Sequence, residues 1–79
     1  MQDILLHTLE KVETELGNNN LKEAEYLASI ALRMDPNNLY SLHIMGVIKG
    51  LLGQPKEACS YFYKAIKSNV DDPKLLFNY

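Results

Sequence analysis

Two histidines, one cysteine and a scatter of carboxylates are the side chains of this sequence that could do chemistry. His7 and His43 lie on separate helical stretches, and neither has a Cys, His or Asp neighbour at metal-ligand spacing, so no zinc-type ligand set forms around them. Cys59 is the single cysteine, which excludes an intrachain disulfide and a disulfide-stapled scaffold. No identifiable base stands by to activate its thiol. Its place beside Ala58, on the helix that carries Phe62, reads as a small buried hydrophobe. A glycine-rich phosphate loop, a nucleophile elbow and a paired-carboxylate signature are all missing. The expectation is a chain that is not an enzyme and uses no metal and no cofactor. The aromatic run Tyr61-Phe62-Tyr63 suggests base stacking, but neighbouring helical residues point about 100° apart and cannot share one platform.

Charge argues the same way. The net charge of −2 is split unevenly: residues 1–35 hold three basic and seven acidic side chains, residues 36–79 five basic and three acidic. Lys49, Lys56, Lys64, Lys67 and Lys74 are spread along the chain instead of forming the concentrated basic face that nucleic acid requires. No apolar run approaches the ~18 residues that cross a bilayer, and the N-terminus carries acids where a signal peptide carries bases. The reading is therefore no nucleic acid, no membrane and a cytoplasmic location. At 47% apolar residues the chain is too hydrophobic to stay disordered.

The elements that must position these side chains are all helical. Leu5, Leu9, Val12 and Leu16 recur at three- and four-residue steps and predict a helix over 3–16, begun by Asp3 and stopped by Gly17 in a left-handed conformation. Asn20 and Glu23 suit a capping pair for a second helix over 21–34, which Asp35-Pro36 ends. Asn37-Asn38 leads into a third, 39–52, apolar on several sides. Pro55 opens a fourth, 55–68, with Ala58, Phe62, Ala65 and Ile66 as its inner stripe. Asp72-Pro73 starts a fifth, 74–79. Gly46, opposite Ala58 and Ala65, lets the third and fourth helices approach closely, with Phe62 filling the space beside it.

The helices repeat. Lys56-Glu57-Ala58 falls on Lys22-Glu23-Ala24, and Ala65-Ile66-Lys67 on Ala31-Leu32-Arg33, at a constant 34-residue offset. The first helix does not hold that offset, since strict alignment places Lys11 and Glu15 in the core. Sliding it by three residues makes Leu5, Thr8, Leu9 and Val12 the inner set. A loop over Gly17–Asn20 about three residues longer than the norm is the corollary.

With Leu42-x2-Met45-Gly46, then Gly53, then Ala58-x3-Phe62-x2-Ala65, the chain resembles the tetratricopeptide repeat. Leu42 stands for the family's Trp, Lys49 for an aromatic and Val70 for the closing Pro; in the first unit Ala28 replaces the aromatic. The resemblance covers essentially the whole chain. It implies an all-α superhelix as one domain over 1–79, with repeat 1 about 3–36, repeat 2 about 39–70 and a truncated third helix at 73–79.

The resemblance also implies a function: a scaffold that holds a protein or peptide segment in a concave groove. Carried onto this chain, the groove residues are Leu6, His7, Glu10, Tyr40, His43, Ile44, Val47, Lys74, Phe77 and Asn78. The lysine–asparagine–arginine carboxylate clamp of part of the family is not present at these positions. Two alternatives stand beside this reading. One is the N-terminal repeat region of a larger enzyme, since the stretch Leu42–Ile66 is similar to repeats fused to bacterial O-linked sugar glycosyltransferases. The other is a self-assembling structural repeat. Leu75, Leu76, Phe77 and Tyr79 form an apolar end through which two copies of the chain are expected to associate.

Overall fold

Local sequence signals set the helix boundaries, and the turn at each boundary decides how the helices fold back on one another. The computed structural model describes the backbone of residues 2–70 and the side-chain surroundings of residues 4–67. Within that span run α1 (Gln2–Gly17), α2 (Leu21–Met34), α3 (Leu39–Leu51) and α4 (Pro55–Val70). No strand occurs among the described residues, and every regular element they form is an α-helix. The expected fifth helix, with Lys74, Phe77 and Asn78, lies outside the described residues, as does the side chain of Asp3.

Asn38 caps α3 as its position suggests. Its Oδ1 accepts the Ser41 backbone N–H at 2.8 Å and the Ser41 hydroxyl at 2.8 Å. That second bond matters because Ser41 is fully buried, and a buried hydroxyl without a partner is costly. Asn20 behaves differently. It makes no side-chain cap for α2; instead its Nδ2 donates to Glu15 Oε1 at 2.7 Å, tying the turn back to α1.

The two intra-pair turns are copies. Asn20 N–H donates to the Glu15 carbonyl at 2.8 Å and Gln54 N–H to the Lys49 carbonyl at 2.9 Å; the left-handed residue before each is Asn19 (φ 62°) and Gly53 (φ 78°). This corrects two expectations. The left-handed residue after α1 is Asn19, with Gly17 still inside the helix, because Asn tolerates that conformation better than other side-chain-bearing residues. The first loop is also no longer than the second: every backbone hydrogen bond in it recurs in the second at the repeat offset.

The strict register therefore holds through α1, and the polar Lys11 and Glu15 have a different explanation. Their counterparts, Met45 and Lys49, lie on the face that α3 turns toward the first helix pair; Met45 is 2% exposed and packs with α1 and α2. No helix among the described residues precedes α1, so the same face there is wet and polar, with Lys11 exposed.

Consecutive helices are neighbours: α1 packs on α2, α2 on α3, and α3 most extensively on α4. The Cα trace measures 38 × 31 × 19 Å, its short dimension fitting two helix layers whose axes lie about 10 Å apart. The core joins Leu9 and Val12 of α1, Ala24, Ala28 and Ala31 of α2, and Ile44, Met45 and Ile48 of α3. Val12 and Ile48 are completely buried, each stabilising by about 1.5–3 kcal/mol.

Between α3 and α4 the approach is close at Gly46. A methyl there would sit 2.6–2.9 Å from three ring carbons of Phe62, well inside contact distance. Any residue larger than glycine at 46 would require the Phe62 ring to shift. One member of the expected α4 stripe falls elsewhere: Ile66 is 64% exposed, because α4 has a packed helix on one side only among the described residues.

Candidate functional site

Two surfaces collect the side chains of interest. The first is a stripe that repeats on the first helix of each pair. On α1, Leu6, Glu10 and Glu13 recur at four- and three-residue steps; on α3, Tyr40, Ile44 and Val47 occupy the equivalent positions of the next repeat. The Tyr40 hydroxyl donates to Glu13 Oε2, which brings the two stripes side by side. Leu6 is 59% and Tyr40 40% exposed, Glu10 and Glu13 are exposed, and Val47 is half-buried. Ile44 is a correction. At 6% exposure it belongs to the core cluster with Leu9 and Val12 of α1 and Ala24, Ala28 and Ala31 of α2, and so offers nothing to a partner. His7 is exposed on α1, with its Nδ1 3.9 Å from Glu10.

The second surface is an open groove of about 560 Å³ between the free sides of α3 and α4, lined by Leu39, Tyr40, His43, Phe62, Ala65 and Ile66. His43 stands against Phe62 with ring centroids 5.5 Å apart and planes tilted by 50°. Tyr40 and His43 thus meet in one groove, whereas Leu6, His7 and Glu10 take no part in lining it. Leu39, Phe62, Ala65 and Ile66 are lining residues that the groove expectation did not contain. The repeat offset held the signal: their counterparts Leu5, Ala28, Ala31 and Leu32 form the contact face of the first pair.

Lys49 sits apart from both surfaces in an ion cluster that joins three helices. Its ammonium hydrogen-bonds Glu25 of α2 and lies 3.7 Å from Glu57 of α4, while Lys22 reaches Glu25 at 3.9 Å. The Lys49 and Glu25 side chains are only 15% and 23% exposed. Their mutual hydrogen bond holds the Glu25 carboxyl below its ordinary value and the Lys49 ammonium above its own, against the opposing effect of burial. Lys49 acts here as a cross-helix tie.

Cys59 is exposed, which corrects its reading as a buried hydrophobe: it lies one residue past Ala58, about 100° around α4 from the contact face. Tyr61, Phe62 and Tyr63 diverge as helix geometry requires, toward the core, the groove and solvent respectively. Among the described residues no group of three or more His, Cys, Asp or Glu side chains could hold a metal ion, and no helix is long and apolar enough to cross a membrane.

No protein-family model matches the sequence, and neither a curated protein nor a solved structure shows significant similarity to it.

Proposed function

We propose that the chain is a helical-repeat module of the tetratricopeptide type that binds a protein segment along the α1–α3 face. The single observation that carries the reading is that the leading helices of both pairs leave a large apolar or aromatic side chain exposed at the same repeat position, Leu6 at 59% and Tyr40 at 40%. That face combines apolar and aromatic surface from Leu6, Tyr40 and Val47 with the carboxylates Glu10 and Glu13. An exposed Tyr has an apolar ring and a polar tip, the combination enriched where proteins meet. The chemistry fits an apolar segment carrying Lys or Arg, whose cation meets Glu10 while its apolar side chains lie on Leu6 and Tyr40. A scaffold role matches the framework, in which the two turns and the core hold the helices in place.

Selection of displayed peptides against the folded chain tests this. Enriched sequences should be apolar with basic residues, and their affinity should fall at least about tenfold with Tyr40→Ala or Glu10→Lys. Tyr26→Ala, on the exposed face of α2, should leave it unchanged. Helical circular dichroism on each variant separates lost binding from lost folding. Equal losses from Tyr26→Ala and Tyr40→Ala, or no enrichment at all, would sink the proposal.

A further inference from the structure

A second cavity, of about 350 Å³, lies where α2, α3 and α4 meet. Lys22, Glu25, Tyr26 and Ser29 of α2 line it at three- and four-residue steps, with Met45 and Lys49 from α3 and Tyr61 from α4. It is on the far side of α3 from the α1–α3 face, because Val47 and Lys49 are two residues apart and point to opposite sides of the helix. The lining is rich in hydrogen-bond donors. The ammonium groups of Lys22 and Lys49 and the phenol hydroxyls of Tyr26 and Tyr61 can all donate, and Glu25 is the single carboxylate among them. Of the three Lys49 protons one goes to Glu25, while Glu57, at 3.7 Å, is an ion-pair neighbour beyond hydrogen-bond reach. Lys22 is 3.9 Å from Glu25 with its side chain 82% exposed, so its protons are available too. Charge points the same way. Lys64 holds its ammonium 5.1 Å from the centre of the Tyr61 ring, so three ammonium groups here meet two carboxylates, Glu25 and Glu57, and one positive charge is left over.

We infer that this cavity binds a carboxylate carried on an aromatic or apolar body. Lys22, Lys49 and the tyrosine hydroxyls take its oxygens, and the Tyr26 and Tyr61 rings and Met45 receive its body. A single negative charge balances the surplus. A phosphate monoester, close to −2 at neutral pH, exceeds it and meets repulsion from Glu25. The Lys49 side chain is only 15% exposed, and a cation so covered attracts an anion more strongly than one on open surface. The site shares no residue with the α1–α3 face, whose proposed ligand is basic, so the two stand or fall separately.

Benzoate is the simplest probe, its binding followed through the backbone amide resonances of the folded chain. Titration should move the signals of Ser29, Met45, Lys49 and Tyr61, with an affinity of order millimolar for so few atoms. Added salt should weaken it. Benzylamine, of similar size and opposite charge, should leave those signals in place. Lys22 is on the surface, so Lys22→Glu keeps the fold, as far-ultraviolet circular dichroism will register, and should weaken benzoate about fivefold. Tyr26→Ala should weaken it as well, whereas Tyr40→Ala, on the α1–α3 face, should not. A capped Phe-Glu dipeptide that binds more tightly than benzoate assigns the acid to a partner protein, and the reverse order assigns it to a free small acid; each upholds the site. Three results overturn the inference: no shift from benzoate or the same shift from benzylamine, benzoate shifts confined to the α3–α4 groove around His43, or an affinity that Lys22→Glu leaves unchanged.

Discussion

The first helix pair and the second are built on the same turn but bury different sides of their leading helices. In α1 the buried residues follow one stripe, Leu9 and Val12 flanked by the partly buried Leu5 and Leu16. In α3 Ser41, Leu42, Ile44, Met45, Gly46 and Ile48 are all buried, because α3 contacts the first pair on one side and α4 on the other. Bulk is also exchanged at one register. The first pair carries Val12 and Ala28 where the second carries Gly46 and Phe62. A small residue on one helix is matched by a larger one on the other, the condition for close packing at unchanged spacing. What repeats is therefore the spacing of helices, and the volume that fills it is redistributed.

The largest expected effect comes from importing half of that exchange. Ala28→Phe puts a ring at a position with no exposure between α1, α2 and α3 and should destabilise by about 3 kcal/mol in urea unfolding. Adding Val12→Gly reproduces the second pair's allocation, so the double variant should lose about 1 kcal/mol less than the two single losses summed. Strict additivity would show that the two positions do not share a space.

The caps come next. Asn38→Ala removes the acceptor of both Ser41 bonds and should lose about 1–2 kcal/mol. Asn20→Ala removes only an exposed side-chain bond and should change stability by less than about 0.5 kcal/mol. If the two substitutions prove equally damaging, the difference between the caps has no energetic content.

A pair of glycine substitutions on α3 divides by sign. Gly46→Ala gains helix propensity but drives a methyl into Phe62, for a net loss of about 1 kcal/mol. At Gly50 an added methyl meets only the Ala58 Cβ at 4.0 Å, and Gly50→Ala should stabilise by up to about 1 kcal/mol. A gain at both sites would mean Phe62 gives way freely.

Smallest is the ion cluster, at about 1 kcal/mol for a mostly covered but still hydrated pair. Because Glu25 titrates below its ordinary value of 4.5, its contribution is complete above that pH and is lost as pH falls through the lowered value. Lys49 titrates above 10.5, so its contribution is complete below that pH and is lost as pH rises through the raised value. Glu25→Gln should therefore flatten the acid limb of the stability–pH curve, and an unchanged acid limb would remove Glu25 from the account.

Helix existence was legible because periodicity and punctuation are local: α2 runs over its expected residues, and Pro55 opens α4 as proline at a first turn should. The Gly46–Phe62 contact was legible too, since a glycine inside an apolar helix opposite an aromatic has few other uses. The three-residue slide of α1 was a misreading with a clear cause. It compared the buried face of a helix having one neighbour with that of a helix having two. Ile44 and Ile66 were misplaced for the same reason, one core and one open, since both are isoleucines on apolar stripes and differ only in what covers them.

By itself the sequence determined where the chain turns, that Asn38 caps α3 and Pro55 opens α4, and that one unit recurs at a fixed offset. Those features depend on backbone conformation within a few neighbouring positions. Only the tertiary structure decided which stripe of each helix is dry, that Lys49 ties three helices together, and that Leu39, His43, Phe62 and Ile66 face a common groove. Burial belongs to pairs of elements, and no single helix carries the identity of its neighbour.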